Sequence, residues 1–184
     1  MVMSAIRKRR SIRKFKPNPV EPEKVDMLVE AALRAPSSRG MQPWEFVVVT
    51  DKELLGKLSR ARTHGSAFLE NAPLAVVVCA DPGKSDVWVE DCSIAGILMQ
   101  LTAESLGLGS CWSQIRERMH DDASSSEGYI AEILRIPKTF KVEALIAIGY
   151  PAETKPPHKR EELPFDKVYL DLYGNRFYSP LNLS

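Results

Sequence analysis

Leu74-Ala75-Val76-Val77-Val78-Cys79 is an unbroken apolar run, half of it β-branched, with no polar position left to face water. A run of that length is too short for a buried helix and reads as a strand covered on both faces. Phe46-Val47-Val48-Val49, within the stretch from Trp44 to Thr50, carries the same signature. Val142 to Ile148, apolar but for Glu143 and ended by Gly149-Tyr150-Pro151, reads as a third long strand. A shorter strand is expected over 110–115. Helical patterns lie between these strands. Residues 2–10 read as a first helix ending in a basic run. A second starts near Pro22, a favoured first-turn position. Val25, Leu28, Val29 and Ala32 give it one apolar face, and Val20 with Val25 is placed to form a hydrophobic staple. Pro36 stops it. Residues 52–62 and 126–135 are two more helices, the second ending before Pro137. The most apolar helix runs from Asp91 to Leu106, where Ile94, Ala95, Ile97, Leu98, Met99, Leu101 and Ala103 cover nearly the whole circumference. Gly107 closes it. A helix apolar all round is buried on all sides, so in a chain this small a partner subunit is expected to cover part of it. The pattern is a sheet with helices on both faces, in one domain over residues 1–184. After Pro151 to Pro157, a linker-like stretch, the tail from Asp166 to Tyr178 regains alternation at Val168, Leu170 and Leu172.

With 184 residues, 44% apolar and 27% charged, the chain has the composition of an ordinary globular domain with a substantial core. A net charge of +1 argues against a bulk nucleic-acid binder, which carries a strong basic excess. No hydrophobic leader opens the sequence, and Gln100, Glu104 and Ser105 interrupt the longest apolar stretch, so no membrane span is expected. The three cysteines, Cys79, Cys92 and Cys111, are odd in number and lack C-x-x-C spacing. A reducing, cytoplasmic setting fits them best.

Charge is locally uneven. Arg9-Arg10-Ser11-Ile12-Arg13 puts three guanidinium groups and a hydroxyl into five positions, and His158-Lys159-Arg160 forms a second cationic patch far along the chain. The guanidinium fork matches the paired oxygens of a phosphate, so the two clusters suggest one anion held from both sides. Taken alone, the first cluster is more often a solvated basic terminus. Other chemistry is poorly supported. Gly107-Leu108-Gly109 has Trp112 where a dinucleotide fingerprint needs its third glycine, and it follows a helix instead of a strand. Phosphate-loop, H-E-x-x-H and G-x-S-x-G sequences are absent. His64, His120 and His158 are scattered, which leaves no metal site, and Cys111 reads as a small buried residue. A chain that can hold a phosphorylated ligand but lacks its own acid, base or nucleophile fits an enzyme whose cofactor carries the chemistry.

At this point the motifs resemble a family. Arg-Arg-Ser-Ile-Arg-Lys-Phe is followed by Ala-Pro-Ser-Ser-x-x-x-Gln-Pro-Trp-x-Phe-Val-Val-Val. Then come Asn71-Ala72-Pro73, Gly-Leu-Gly-Ser-Cys-Trp and Ala147-Ile-Gly-Tyr-Pro151, with Lys-Arg beyond. In that order they resemble the nitroreductase family of flavoenzymes over residues 7 to 160. The resemblance implies an α+β fold of three layers (α/β/α), with a mixed, mainly antiparallel sheet and a C-terminal tail extending onto a partner subunit. It implies FMN at a homodimer interface and NADH or NADPH as donor. By position, Arg9, Arg10 and Ser11 would meet the FMN phosphate and ribityl chain, and Arg160 with Lys159 would close on the phosphate. Arg13 would lie near the pyrimidine edge, while Ser113, Gln114 and Ile115 would offer backbone N–H along the N5 side. Pro36, Ser37, Ser38 and Gly40 would reach the flavin bound mainly by the other subunit. Two departures stand out: Arg39-Gly40 replaces a usual asparagine, and His158 replaces a usual lysine or arginine. The segment before Asn71 is also short for a large substrate lid.

The expected activity is hydride transfer from NAD(P)H through FMN to a nitroaromatic, quinone or related small-molecule acceptor, in alternating half-reactions and with no catalytic side chain. A specialised enzyme for one metabolite, or a flavin-binding protein that stores or senses FMN without turnover, are the alternatives.

Overall fold

The computed structural model describes residues 2–177. Strands β1 (Trp44–Val49), β2 (Leu74–Ala80), β3 (Gly109–Gln114) and β4 (Lys141–Gly149) form one sheet in the order β1-β2-β4-β3. Every neighbouring pair is antiparallel. Among the described residues parallel pairing is confined to one bridge, in which Ser11 meets Ser110 at the outer edge of β3. The two central strands are the two longest apolar runs, and every residue of β2 is buried. Their apolar sequences, broken inside β4 only by the buried Glu143, follow from that position, because layers cover both faces.

On one face lie α3 (Lys52–Leu58) and α5 (Ser126–Leu134), packing Leu55, Leu58 and Ile130 against Val77, Leu145 and Ala147. On the other lie α2 (Pro22–Leu33) and α4 (Trp88–Ser105), whose Leu28, Ala32, Ala95 and Met99 meet Val76, Val78, Ile146 and Ile148. The three expected layers are present, with α1 (Val2–Lys8) against α4. The staple holds too: Val20 and Val25 flank the N-cap Glu21 and pack on the same core.

Several boundaries differ from the sequence reading. Helix α1 ends at Lys8, because the basic run beyond it is drawn out to pair with β3. Helix α3 stops at Leu58, and the hydroxyl of buried Ser66 donates to the Ser59 carbonyl (2.8 Å) in the loop that follows. Helix α4 starts earlier than Asp91, at Trp88. Its far end is as read: Leu108 N–H reaches the Ala103 carbonyl (2.9 Å) and Gly107 N–H the Glu104 carbonyl (3.2 Å), with Gly107 at φ +74°. This pair of bonds is the Schellman motif, and the left-handed residue it needs is cheapest as glycine.

Helix α4 approaches the sheet most closely at Gly96, where an added Cβ would lie 2.5 Å from Cζ3 of Trp112. The indole is held by its Nε1–H bond to Gln114 Oε1 (3.0 Å), so it has little freedom to yield. Gly96→Val is therefore expected to lower stability by about 1–3 kcal/mol, the range for overpacking. Urea unfolding checks this, and an unchanged midpoint would show that the ring gives way.

Candidate flavin site

The chain after α1 is an added strand for part of its length. Ile12 N–H donates to the Ser110 carbonyl (3.0 Å), and Gly109 beside it is obligatory, because a Cβ there would lie 2.8 Å from Cβ of Ile12. Phe15 then bridges Pro151, with Lys16 N–H on the Tyr150 carbonyl (2.8 Å) and Ala152 N–H on the Lys14 carbonyl (2.8 Å). Side chains reinforce this seam. Glu153, 140 positions from Arg13, accepts the Arg13 N–H at 2.6 Å. The same oxygen takes Lys14 N–H (3.2 Å) and faces Lys155 Nζ at 3.3 Å. Lys155 Nζ also donates to the Ser11 carbonyl (2.6 Å), and the Arg10 guanidinium donates to the Pro156 carbonyl.

The two cationic clusters are thus brought to one place. Lys159 and Arg160 lie only three and four residues beyond Pro156, within about 14 Å of chain. Arg160 stacks on Phe165 with 4.8 Å from guanidinium to ring centroid, and Lys159 N–H donates to Glu162 Oε2 (3.2 Å). His158 Nδ1 faces that carboxylate at 4.0 Å. Among the described residues neither Arg9, Arg13 nor Lys159 has an ion-pair partner. Arg13 reaches over the Phe68 ring, 5.9 Å from its centroid, above a cleft of about 310 Å³ that it lines with Asn71 and Phe15. Asn71 stands in a quoted sequence motif, but only the fold shows it beside Arg13.

Along β3 the phase of the ladder decides which backbone groups are available. Ile115 N–H donates to the Glu143 carbonyl (3.0 Å), so Ile115 and Ser113 turn toward β4. The Ser113 hydroxyl is used as well, donating to the Gly65 carbonyl (3.0 Å). Of Ser113, Gln114 and Ile115, only Gln114 presents its N–H to the open edge. Its side chain is pinned aside between Trp112 Nε1 (3.0 Å) and Glu143 Oε1 (3.2 Å). Glu143 itself is buried, and desolvation raises its pKa above the ordinary carboxylate value.

Pro36, Ser37, Ser38 and Gly40 do not join this group within the chain. They lie at the N-terminal end of α4, where Ser38 N–H donates to Asp91 (2.9 Å) and the Ser37 hydroxyl accepts Gln42 N–H (2.9 Å). The Ser11–Ser110 seam is at the other end of that 18-residue helix, about 27 Å away along its axis. Arg39 and Gln42 have φ of 53° and 46°, which costs about 1–2 kcal/mol each for a residue with a Cβ.

Comparison with known proteins agrees with this architecture. Residues 6–63 and 55–150 match the family model described as the nitroreductase family. The chain belongs to the nitroreductase family. A solved structure of an FMN-dependent nitroreductase from Clostridium difficile R20291 is 50% identical, with a TM-score of 0.91 over 93% of this chain and 99% of that one. A protein of Archaeoglobus fulgidus named NADH dehydrogenase/NAD(P)H nitroreductase is 40% identical over 80% of this chain and 83% of its own length. A relative of the same name from Methanothermobacter thermautotrophicus is 36% identical over 92% and 86%.

Among the described residues no group of three or more His, Cys, Asp or Glu side chains is placed to hold a metal, and no helix is long and apolar enough to cross a membrane. Cys111 is buried, and desolvation raises its thiol pKa, the opposite of what a nucleophile needs.

Glu153 and Lys155 were invisible as site residues in the sequence, since they sit in a proline-rich stretch with no motif of their own. The Arg13 N–H is the main cause holding the Glu153 carboxyl below its ordinary pKa, aided by Lys155 and the Lys14 N–H. A carboxyl with a depressed folded pKa adds stability above its unfolded value of about 4.5 and loses it as pH falls through the folded value. Thermal melts should therefore separate wild type from Glu153→Gln by a constant gap at neutral pH. That gap should narrow on acidification below about pH 4.5. A pH-independent gap would mean that the carboxylate charge does not hold the seam.

Proposed function

We propose that the chain is one protomer of a homodimeric, FMN-dependent NAD(P)H oxidoreductase acting on nitroaromatic, quinone or related acceptors. The observation that carries this reading is the seam. Residues 146 apart are joined by Arg10 and Pro156, so that cations from both ends of the sequence face one locus beside an open strand edge. As a nitroreductase-family member the protein is a flavin oxidoreductase that uses FMN and a reduced nicotinamide nucleotide. The chemistry supplied by bound FMN is the acceptance of a hydride from NADH or NADPH and its donation to the acceptor.

The residues fit that cofactor. Arg9 and Ser11, with Lys159 and Arg160, bind the phosphate and ribityl chain; Arg10 and Lys155 keep the two segments together. Arg13, beside Asn71 and over Phe68, offsets negative charge at the pyrimidine edge of the ring. Gln114 supplies its outward N–H at the ring's other edge. Pro36, Ser37, Ser38 and Gly40 of each protomer complete the site of its neighbour, in keeping with their place at the far end of α4.

Two surfaces support the dimer. Val2, Met3 and Ile6 on α1 are 69%, 55% and 48% exposed, beside Ile94 and Ile97 on α4. In the tail, Leu170, Leu172 and Tyr173 are exposed up to 91%. Contiguous apolar surface of this kind marks an interface. Tyr178, also expected in that contact, lies outside the described residues.

Titration should find about one FMN per protomer and at least tenfold weaker binding of riboflavin, since charge-assisted phosphate bonds are worth about 1.5–3 kcal/mol each. Equal affinities would remove the phosphate assignment. Anaerobic bleaching of the bound flavin by NADH separates an enzyme from a storage or sensing protein.

Kinetics test the shared site. With donor and acceptor using one face of the ring in turn, initial-rate plots should give parallel lines. Intersecting lines would show both bound together.

A further inference from the structure

The segment that the proposed site takes from the neighbouring protomer is a tight turn, closed by Gly40 N–H on the Ser37 carbonyl (3.1 Å) and Met41 N–H on the Ser38 carbonyl (3.0 Å), in a conformation that is costly for its residues. Arg39, Gly40 and Gln42 all have positive φ, and the short turn Ser38–Gly40 is followed by exposed Met41. Among the described residues two side-chain links tie this turn to the start of α4, and the buried one is made by a carboxylate. Asp91, only 3% exposed in the first turn of α4, accepts Ser38 N–H on Oδ1 (2.9 Å) and the Ser85 hydroxyl on Oδ2 (3.0 Å). Ser85 is held in turn, because its Oγ accepts Val87 N–H (3.3 Å) just before the helix. The other link, Arg39 to Asp86 at 3.1 Å, joins side chains 71% and 80% exposed and is weak and salt-screened. A buried carboxylate survives where its oxygens are hydrogen-bonded and a helix N-terminus favours its charge, and Asp91 has both. Both of its oxygens are engaged within the chain, and its burial keeps it from direct contact with a ligand.

We infer that Asp91 is a positioning residue for the flavin site of the neighbouring protomer. It fixes the backbone of Ser38, and through it the strained turn that presents Ser37, Ser38 and Gly40 across the interface. The inference rests on the reading that this turn crosses to the partner's flavin. Asp91 is thereby tied to a site whose phosphate-binding end, in its own chain, lies at the opposite end of α4.

Asparagine keeps an acceptor for Ser38 N–H and can donate to Ser85 Oγ, whereas alanine keeps neither. Asp91→Ala is expected to weaken FMN binding tenfold or more, while Asp91→Asn stays within about threefold of wild type. Both are measured by fluorescence titration on protein whose dimer mass is confirmed. The decisive arm is a heterodimer of one Asp91→Ala chain and one Arg9→Ala chain, isolated with two different tags. One of its sites combines intact Arg9 with an intact partner turn, and the other carries both defects. It should therefore bind one FMN tightly per dimer, although each parent homodimer binds weakly. Wild-type affinity in the Asp91→Ala homodimer overturns the role of Asp91 and leaves the crossing turn untouched. A weak homodimer whose heterodimer shows no tight site overturns the crossing itself, since both residues would then serve one site in one chain. If Asp91→Ala gives no folded protein, Ser85→Ala takes its place in both arms. FMN affinity unchanged by Ser85→Ala would then overturn the inference.

Discussion

Glu153 takes hydrogen bonds from two consecutive backbone N–H groups of the N-terminal segment, and that contact is the constraint on which the site depends. Neither Arg13 nor Lys14 belongs to a named strand, so their amides would otherwise rely on water at the rim of the sheet. A carboxylate there does two jobs. It satisfies donors that the sheet cannot, and it places one negative charge under a cluster of cations that would otherwise repel each other. Lys155 continues the tie to the Ser11 carbonyl, and Arg10 repeats it at Pro156. Two of the cations therefore spend hydrogen bonds on backbone carbonyls, while among the described residues Arg9, Arg13 and Lys159 have no ion-pair partner.

The close approaches explain why the framework tolerates so little change along this seam. An added Cβ at Gly109 meets Ile12, and one at Gly149 would lie 2.6 Å from the Pro73 ring and 3.2 Å from Phe15. These glycines are used for space, not for backbone freedom. Their motif positions, Gly-Leu-Gly and Ala-Ile-Gly-Tyr-Pro, mark where the N-terminal segment passes over the ends of β3 and β4.

The central strands were legible because burial on both faces leaves no polar position in Leu74 to Cys79 and only Glu143 in Val142 to Ile148. The layers followed from the helical periods, and the end of α4 from Gly107. What escaped was decided by contacts distant in sequence. Arg9 and Arg10 have good helix propensity, yet α1 stops at Lys8 because pairing with Ser110 outweighs it. The cationic clusters stood out against a nearly neutral chain, so that half of the proposed site has a signal in the sequence. Glu153 lay in apparent linker. Asp91 looked like a helix boundary until the helix was seen to begin three residues sooner. The sequence marks the β3 residues as a segment, and only the ladder phase separates Gln114 from Ile115.

The link between Arg10 and Pro156 spans 146 positions, so the proposed phosphate-binding end exists only after almost the whole chain has been threaded into place. Closing a loop of that length is entropically costly, and such contacts form late. A nascent or partly folded chain cannot then present the site, which makes cofactor capture a checkpoint on completed folding. A ligand that binds only the native state shifts the folding equilibrium by mass action. An anion lodged between the two segments would act as a reversible clasp on the two ends of the chain. Cellular flavin supply would then set how long each folded molecule stays shut against proteolysis.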